Sequence, residues 1–216
     1  MNMTIPYAIK DVNYYYITDE RMSMDFPTQA LTAIEAGVKM IQYRRKTGTK
    51  DFFTDALEVR EVCQGRAIFV MNDRVDMALE VDADGVHVGQ DDTSFREVRE
   101  LIGDKILGVS THNMEQAAEA AEVADYIGVG PVHATATKRD IWPELGVEGA
   151  LNIAGSVEIP TAAIGGIGEE DMTLLSRGFD MICSLSSVTQ KGIFSEQLRT
   201  FEEGFKKAKE GFTRPN

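Results

Sequence analysis

Residues 67–92 read AIFVMNDRVDMALEVDADGVHVGQDD. Two short apolar runs stand out, Ala67–Asn72 and Gly85–Gly89. The first leads into Asn72-Asp73-Arg74 and the second into Gln90-Asp91-Asp92. Apolar runs of this length bounded by polar turns read as buried strands, and the residues between them suit a crossover of the βαβ kind. The same alternation extends in both directions, with further candidate strands at Tyr14–Thr18, Met40–Arg44, Ile106–Thr111, Tyr126–Gly130, Thr161–Gly166 and Met181–Val188. Helical periodicity is clearest at Phe52–Val62, Asn113–Val123, Glu169–Arg177 and Ser195–Ala208. In the last of these Phe201, Phe205 and Ala208 fall on one helical face.

Eight strands separated by helices predict an α/β protein with parallel βαβ units. A closed (β/α)8 TIM barrel and an open doubly wound sheet compete for that pattern. Polar residues decide for the barrel, because they gather where one strand after another ends: Arg44 and Lys46, Asn72 and Asp73, Gln90 to Asp92, Ser110, Gly130 onward, Gly165 and Gly166. In a barrel all of these meet at one rim, whereas an open sheet concentrates function at one crevice. The reading is a single barrel domain over 1–216, with 1–12 and 210–216 as terminal extensions.

The 216 residues include 35 acidic and 22 basic side chains, a formal net charge of −13. That surface repels nucleic acid and anionic membranes, both of which need phosphates neutralised by Lys and Arg. Small anionic substrates remain open to it where basic residues converge. Met1–Lys10 has no basic region followed by a long apolar run, and no membrane-length apolar stretch occurs, so a cytoplasmic location is expected. Cys63 and Cys183 lie far apart without metal spacing and read as buried reduced thiols.

Gln42, Arg44 and Lys46 alternate, so an extended chain points them the same way. They form either a solvated strand end or an anion clamp, with Arg44 as a planar fork and Lys46 as a mobile charge. Asn72 and Asp73 could cap a helix. With Asp91 and Asp92 at the neighbouring strand end, however, Asp73 gains a second carboxylate beside it, and beside the Arg44 and Lys46 clamp such a pair suits magnesium shared with substrate phosphate oxygens. Small residues and hydroxyls in Gly128-Val129-Gly130-Pro131 and Thr135-Ala136-Thr137-Lys138 can hold phosphate. Gly165-Gly166 before a helix offers backbone donors, and Ser184, Ser186 and Ser187, on the eighth strand, could complete the cup. His87 reads as structural, His112 as a cap or a catalytic group, and no two histidines show metal spacing.

Taken in order, these stretches resemble thiamine-phosphate synthase from about Tyr14 to Val188. The matching segments are Gln42–Lys46, Met71–Asp76, Gly85–Asp92, Gly108–Asn113, Asp125–Pro131, Thr135–Lys138 and Ile164–Ile167. The resemblance implies a transferase that condenses an aminopyrimidine diphosphate with a thiazole phosphate, using one Mg2+ per active site. It implies that Gln42, Arg44, Lys46, Asn72, Ser110 and Lys138 hold the pyrimidine diphosphate, with Lys138, Arg44, Lys46 and Ser110 assisting catalysis. Thr135, Thr137, Gly166, Leu185 and Ser186 would hold the thiazole phosphate, and Asp73 and Asp92 the metal. The chain departs from the family pattern at Arg45, where an acidic residue is usual, at Ala136, which often is proline, and in Met181–Ser186.

Three other readings compete. A thiazole tautomerase on the same barrel could use His112 as base but has no need for the two carboxylates. A different phosphate-binding barrel would keep Gly165-Gly166 without the Gln42–Lys46 and Asn72–Asp73 segments. A barrel without catalysis would have little reason to keep the whole charged rim.

Overall fold

The computed structural model describes residues 7–47, 52–134 and 142–212. Eight parallel strands follow one another around a single sheet in chain order: β1 (Tyr15–Ile17), β2 (Met40–Tyr43), β3 (Ile68–Asn72), β4 (Gly85–Val88), β5 (Ile106–Thr111), β6 (Tyr126–Val129), β7 (Thr161–Ile164) and β8 (Met181–Cys183). The ring is completed between β8 and β1 by an isolated parallel bridge, Tyr14 to Ile182. Around it run α1 (Phe26–Glu35), α2 (Phe52–Cys63), α3 (Val75–Glu80), α4 (Phe95–Ile102), α5 (Met114–Ala121), α6 (Gly146–Ala154), α7 (Met172–Leu175), α8 (Ser186–Thr189) and α9 (Phe194–Glu210). The barrel reading therefore holds, and the open sheet does not.

Side chains alternate across the ring and split the core in two. Tyr15, Met40, Ile68, Val70, Ile106, Tyr126, Ala162 and Met181 fill the barrel interior. Their chain neighbours, such as Ile41, Phe69, Val86, Leu107, Ile127 and Ile182, pack outward against the helices. Each fully buried side chain of this size contributes roughly 1.5–3 kcal/mol relative to exposure. Helix starts have local causes. Asp25 accepts from Thr28 N at 2.8 Å with a proline in the first turn of α1, and Asn113 accepts from Gln116 N at 2.8 Å ahead of α5. Below the barrel a 3-10 turn, Ile9–Asp11, leads into the fully buried Val12, and Tyr7 and Ile9 pack against the barrel interior with it.

Across the seam between β8 and β1, Ile182 N donates to the Asn13 carbonyl at 2.9 Å and the Tyr14 hydroxyl donates to the Ser184 carbonyl at 2.5 Å, and α9 holds the β1 side. Glu202, on the buried face of α9, accepts from Asn13 Nδ2 at 2.7 Å and from Tyr14 N at 3.0 Å. Burial raises its carboxyl above the usual range despite those two donors.

Two elements differ from the sequence reading. The eighth strand, expected over Met181–Val188, stops at Cys183, and Ser186–Thr189 turn into α8. Ser184 and Ser187 do not face a ligand, because both hydroxyls donate to the Ile167 carbonyl, at 2.7 and 2.8 Å. The helix expected over Glu169–Arg177 is a 3-10 turn, Glu169–Asp171, followed by the one-turn α7. The Gly165-Gly166 turn therefore does not lead into a long helix, and whatever anion affinity it has comes from its own backbone.

Candidate active site

The C-terminal ends of the strands surround one cleft with two lobes. The first is lined by Ile17, Gly128, Gly130, Ile164, Gly165, Gly166, Cys183, Leu185 and Ser186, and is mostly apolar. The second is polar, lined by Lys46, Asn72, Asp73, Gln90, Asp91 and Asp92. Arg44, Ser110, His112 and Trp142 line both, so the lobes share a wall.

In the polar lobe, the end of β3 places Asn72 beside His87 of β4, and Asp73 N donates to the His87 carbonyl at 2.9 Å. Asp73 then adopts φ +60°, a left-handed conformation uncommon for a non-glycine residue. Helix capping does not explain this segment: the residue before α3 is Arg74, which makes no side-chain cap and pairs with Asp76 at 2.6 Å instead. Asp92 is fixed by Gly89 N, which donates to Oδ2 at 2.7 Å. The two carboxyls meet. Burial first, then the charge of Asp92 and a hydrogen bond to it, push Asp73 up to about 6, while Lys46 and Asn72 act the other way. Two carboxylates held this close favour a proton or a cation between them. Among the described residues no cluster of three His, Cys, Asp or Glu side chains forms. A metal bound here would thus need ligands from substrate or water, the pattern suited to magnesium.

This gives a pH dependence with a definite sign. The folded value of Asp73 lies above the unfolded value of 3.8, so its contribution to stability is full below about pH 4 and is lost as pH rises through about 6. Magnesium needs the deprotonated pair. Added Mg2+ is therefore expected to raise the melting temperature at pH 7.5 and to lose that effect by pH 5, as read by circular dichroism. An equal rise at both pH values would speak against this pair as the ligands.

Arg44 sits just past β2, and its backbone is pinned by Thr18: its N–H donates to Thr18 Oγ1 at 2.9 Å and its carbonyl accepts from the same hydroxyl at 3.2 Å. Burial lowers its pKa, opposed by Asp73, Glu20 and Asp19, whose negative charges face it. Glu20 holds the following turn by accepting from Lys46 N at 3.1 Å and Thr47 N at 3.0 Å. Arg45 points elsewhere and pairs with Asp55 of α2 at 2.5 Å, so its departure from the family pattern lies off the cleft.

Gln42 does not share the rim with Arg44 and Lys46. It is buried within the barrel, where its Nε2 donates to the Tyr15 hydroxyl. Ser110 reaches the cleft from β5 with its hydroxyl 2.9 Å from His87 Nε2, and its carbonyl accepts from Gln90 Nε2 at 2.7 Å. Gly165 and Gly166 take φ +99° and +66° and line the apolar lobe together with Leu185 and Ser186. Thr135, Thr137 and Lys138 lie outside the described residues.

His112 and Trp142 complete the wall shared by the lobes. His112 is not a cap, since Asn113 fills that role. Its ring stacks on Trp142, with centroids 4.5 Å apart and planes 12° from parallel, and its Nδ1 lies 2.5 Å from the Gly130 carbonyl. Trp142 is the protein's single tryptophan and lines both lobes. His133, uninterpretable alone, meets Asp171 at 2.9 Å beside the Gly165-Gly166 turn. Both cysteines are buried and free, and burial pushes both thiols up.

The site is a two-lobed cleft at one rim of a (β/α)8 barrel, a basic and carboxylate-bearing lobe opening onto a glycine-lined apolar one. A family model described as "Thiamine monophosphate synthase" matches residues 14–188, and the chain belongs to that family. Among its relatives, the thiamine-phosphate synthase of Methanosarcina barkeri is 38% identical over 198 residues, spanning 89% of this chain and 90% of that protein. That of Chloroflexus aurantiacus is 43% identical over 186 residues, spanning 83% and 86%. A solved structure of thiamine phosphate pyrophosphorylase from Pyrococcus furiosus superposes with a TM-score of 0.83 at 30% identity, over 92% of this chain and 98% of that one.

Proposed function

We propose that this chain condenses 4-amino-2-methyl-5-(diphosphooxymethyl)pyrimidine with 4-methyl-5-(2-phosphooxyethyl)thiazole, giving thiamine phosphate and diphosphate. The observation that carries the reading is the shared wall: a polar lobe fit for a diphosphate and an apolar lobe fit for a second ring meet at Arg44, Ser110, His112 and Trp142.

In this reading the bond from the pyrimidine methylene carbon to the diphosphate oxygen breaks, and its electron pair leaves with the diphosphate. The thiazole nitrogen lone pair then forms the new C–N bond. No protein nucleophile is required, so the side chains align the partners and balance charge. Arg44, Lys46, Asn72 and Ser110 hold the pyrimidine diphosphate from the rim and Gln42 from below, with Lys138 as a further cation. Gly166, Leu185 and Ser186, with Thr135 and Thr137, hold the thiazole phosphate. A magnesium ion held by Asp73 and Asp92 would neutralise charge on the departing diphosphate. A cytoplasmic location belongs to the same proposal.

The test is product formation from the two substrates, with and without Mg2+. Magnesium-dependent thiamine phosphate supports the reading. Folded protein that binds thiazole phosphate and makes no product overturns it.

A further inference from the structure

His87 lies mid-strand among apolar neighbours, where a buried histidine is ordinarily a core residue. Its surroundings are more specific than that. On three adjacent strands the register sets His87 beside Gly108, and Gly108 beside Tyr126. Because the middle position has no side chain, the imidazole reaches across β5 to Tyr126, and Nδ1 lies 2.9 Å from the phenol oxygen. A Cβ at Gly108 would stand 2.5 Å from His87 Nδ1 and 2.2 Å from Tyr126 Cζ, and one at Gly128 would stand 3.3 Å from His87 Cε1. The slot exists because two neighbouring strands carry glycine there.

The other ring nitrogen, Nε2, lies 2.9 Å from Ser110 Oγ, in the wall common to both lobes. Behind the imidazole, the Tyr126 and Tyr15 hydroxyls are 3.3 Å apart, and Gln42 donates to Tyr15. One buried chain thus runs from Gln42 through both tyrosines and His87 to a serine at the site. A serine hydroxyl at a strand end is otherwise free to take any of three rotamers. With one hydrogen-bonding position spent on the imidazole, whichever nitrogen carries the hydrogen, the Ser110 hydroxyl has one orientation, and its remaining capacity faces the cleft.

We propose that His87 is a positioning residue for the condensation, acting through Ser110, with Tyr126 and Tyr15 as the support that holds the imidazole in its slot. The inference rests on the functional reading above and deepens it. Preorganised hydrogen-bonding groups matter most where charge develops, and small misplacement of such a group is costly.

The experiment compares wild type, His87→Phe, Tyr126→Phe, Ser110→Ala and the His87→Phe/Ser110→Ala double variant, measuring kcat, KM for both substrates and melting temperature. Phenylalanine fills the slot without ring nitrogens. His87→Phe is expected to lower kcat on the order of 100-fold with both KM values within about 3-fold of wild type. In the Ser110→Ala background the same change is expected to cost less than about 2-fold, since the residue it acts through is gone. Equal losses in both backgrounds, or full kcat in His87→Phe, would overturn the role. Tyr126→Phe removes one oxygen and carries the same comparison if His87→Phe does not fold, with an expected loss of about 10-fold in kcat confined to the Ser110 background. A wild type that makes no thiamine phosphate overturns the functional reading and this inference with it, whereas an active wild type isolates the inference.

Discussion

Asp73→Asn is expected to reduce thiamine phosphate formation by about 10²–10³-fold while leaving the melting temperature at pH 7.5, without Mg2+, unchanged or higher. The two halves of that expectation have one cause. Asp73 is held at φ +60° with its carboxyl against that of Asp92, and burial together with the second charge pushes it up to about 6. At neutral pH this is an unfavourable arrangement for the fold alone, of the kind retained at working sites. Asparagine tolerates the left-handed backbone and keeps the volume, but it removes the charge. Alanine would add backbone strain and confuse the comparison. Steady-state kinetics beside a thermal melt decide the matter: full activity in Asp73→Asn, or a large fall in melting temperature, would remove Asp73 from the role of ligand.

The second large effect falls on stability. Glu202→Ala is expected to cost about 3 kcal/mol, because Asn13 Nδ2 and Tyr14 N would each lose a buried acceptor at roughly 1–3 kcal/mol apiece. For a chain of this size that corresponds to a melting temperature lower by about 10 °C. The loss exceeds that of an ordinary buried polar contact because of its location. Every other neighbouring strand pair has a ladder, while β8 and β1 meet at an isolated bridge, and this carboxylate fixes the two residues, Asn13 and Tyr14, that make the β1 side of it. Glu202→Gln, which keeps one acceptor oxygen, should recover about half of the loss. A shift below about 3 °C in Glu202→Ala would show that the seam does not depend on α9.

Most of the barrel was legible because its strands are short apolar runs ending in polar residues, and that signal survives without tertiary knowledge. It failed at Met181–Val188. Ser186-Ser187-Val188-Thr189 is as compatible with a strand as with a helical turn, and the choice is made by two serine hydroxyls reaching the Ile167 carbonyl from another loop. That a second carboxylate stands beside Asp73 was legible because consecutive strands are neighbours in a parallel barrel, while the choice of Asp92 over Asp91 came from the family resemblance. Alternation gave the direction shared by Gln42, Arg44 and Lys46 but carries no information on how deep each lies in the barrel. Gln42 lies one layer down, on Tyr15. The links from His87 to Tyr126 and from His112 to Trp142 join positions distant in sequence, and the first depends on a missing side chain at Gly108. Nothing local in the chain signals either.

The stack of Trp142 on His112 has an optical consequence. The protein carries one indole, and that indole stands in the wall of both lobes, face to face with an imidazole. Its emission is undiluted by any other tryptophan, so the intensity and colour of the fluorescence report on this wall alone. The cleft is thereby equipped with an intrinsic reporter, and the filling of either lobe can be followed in the unlabelled protein.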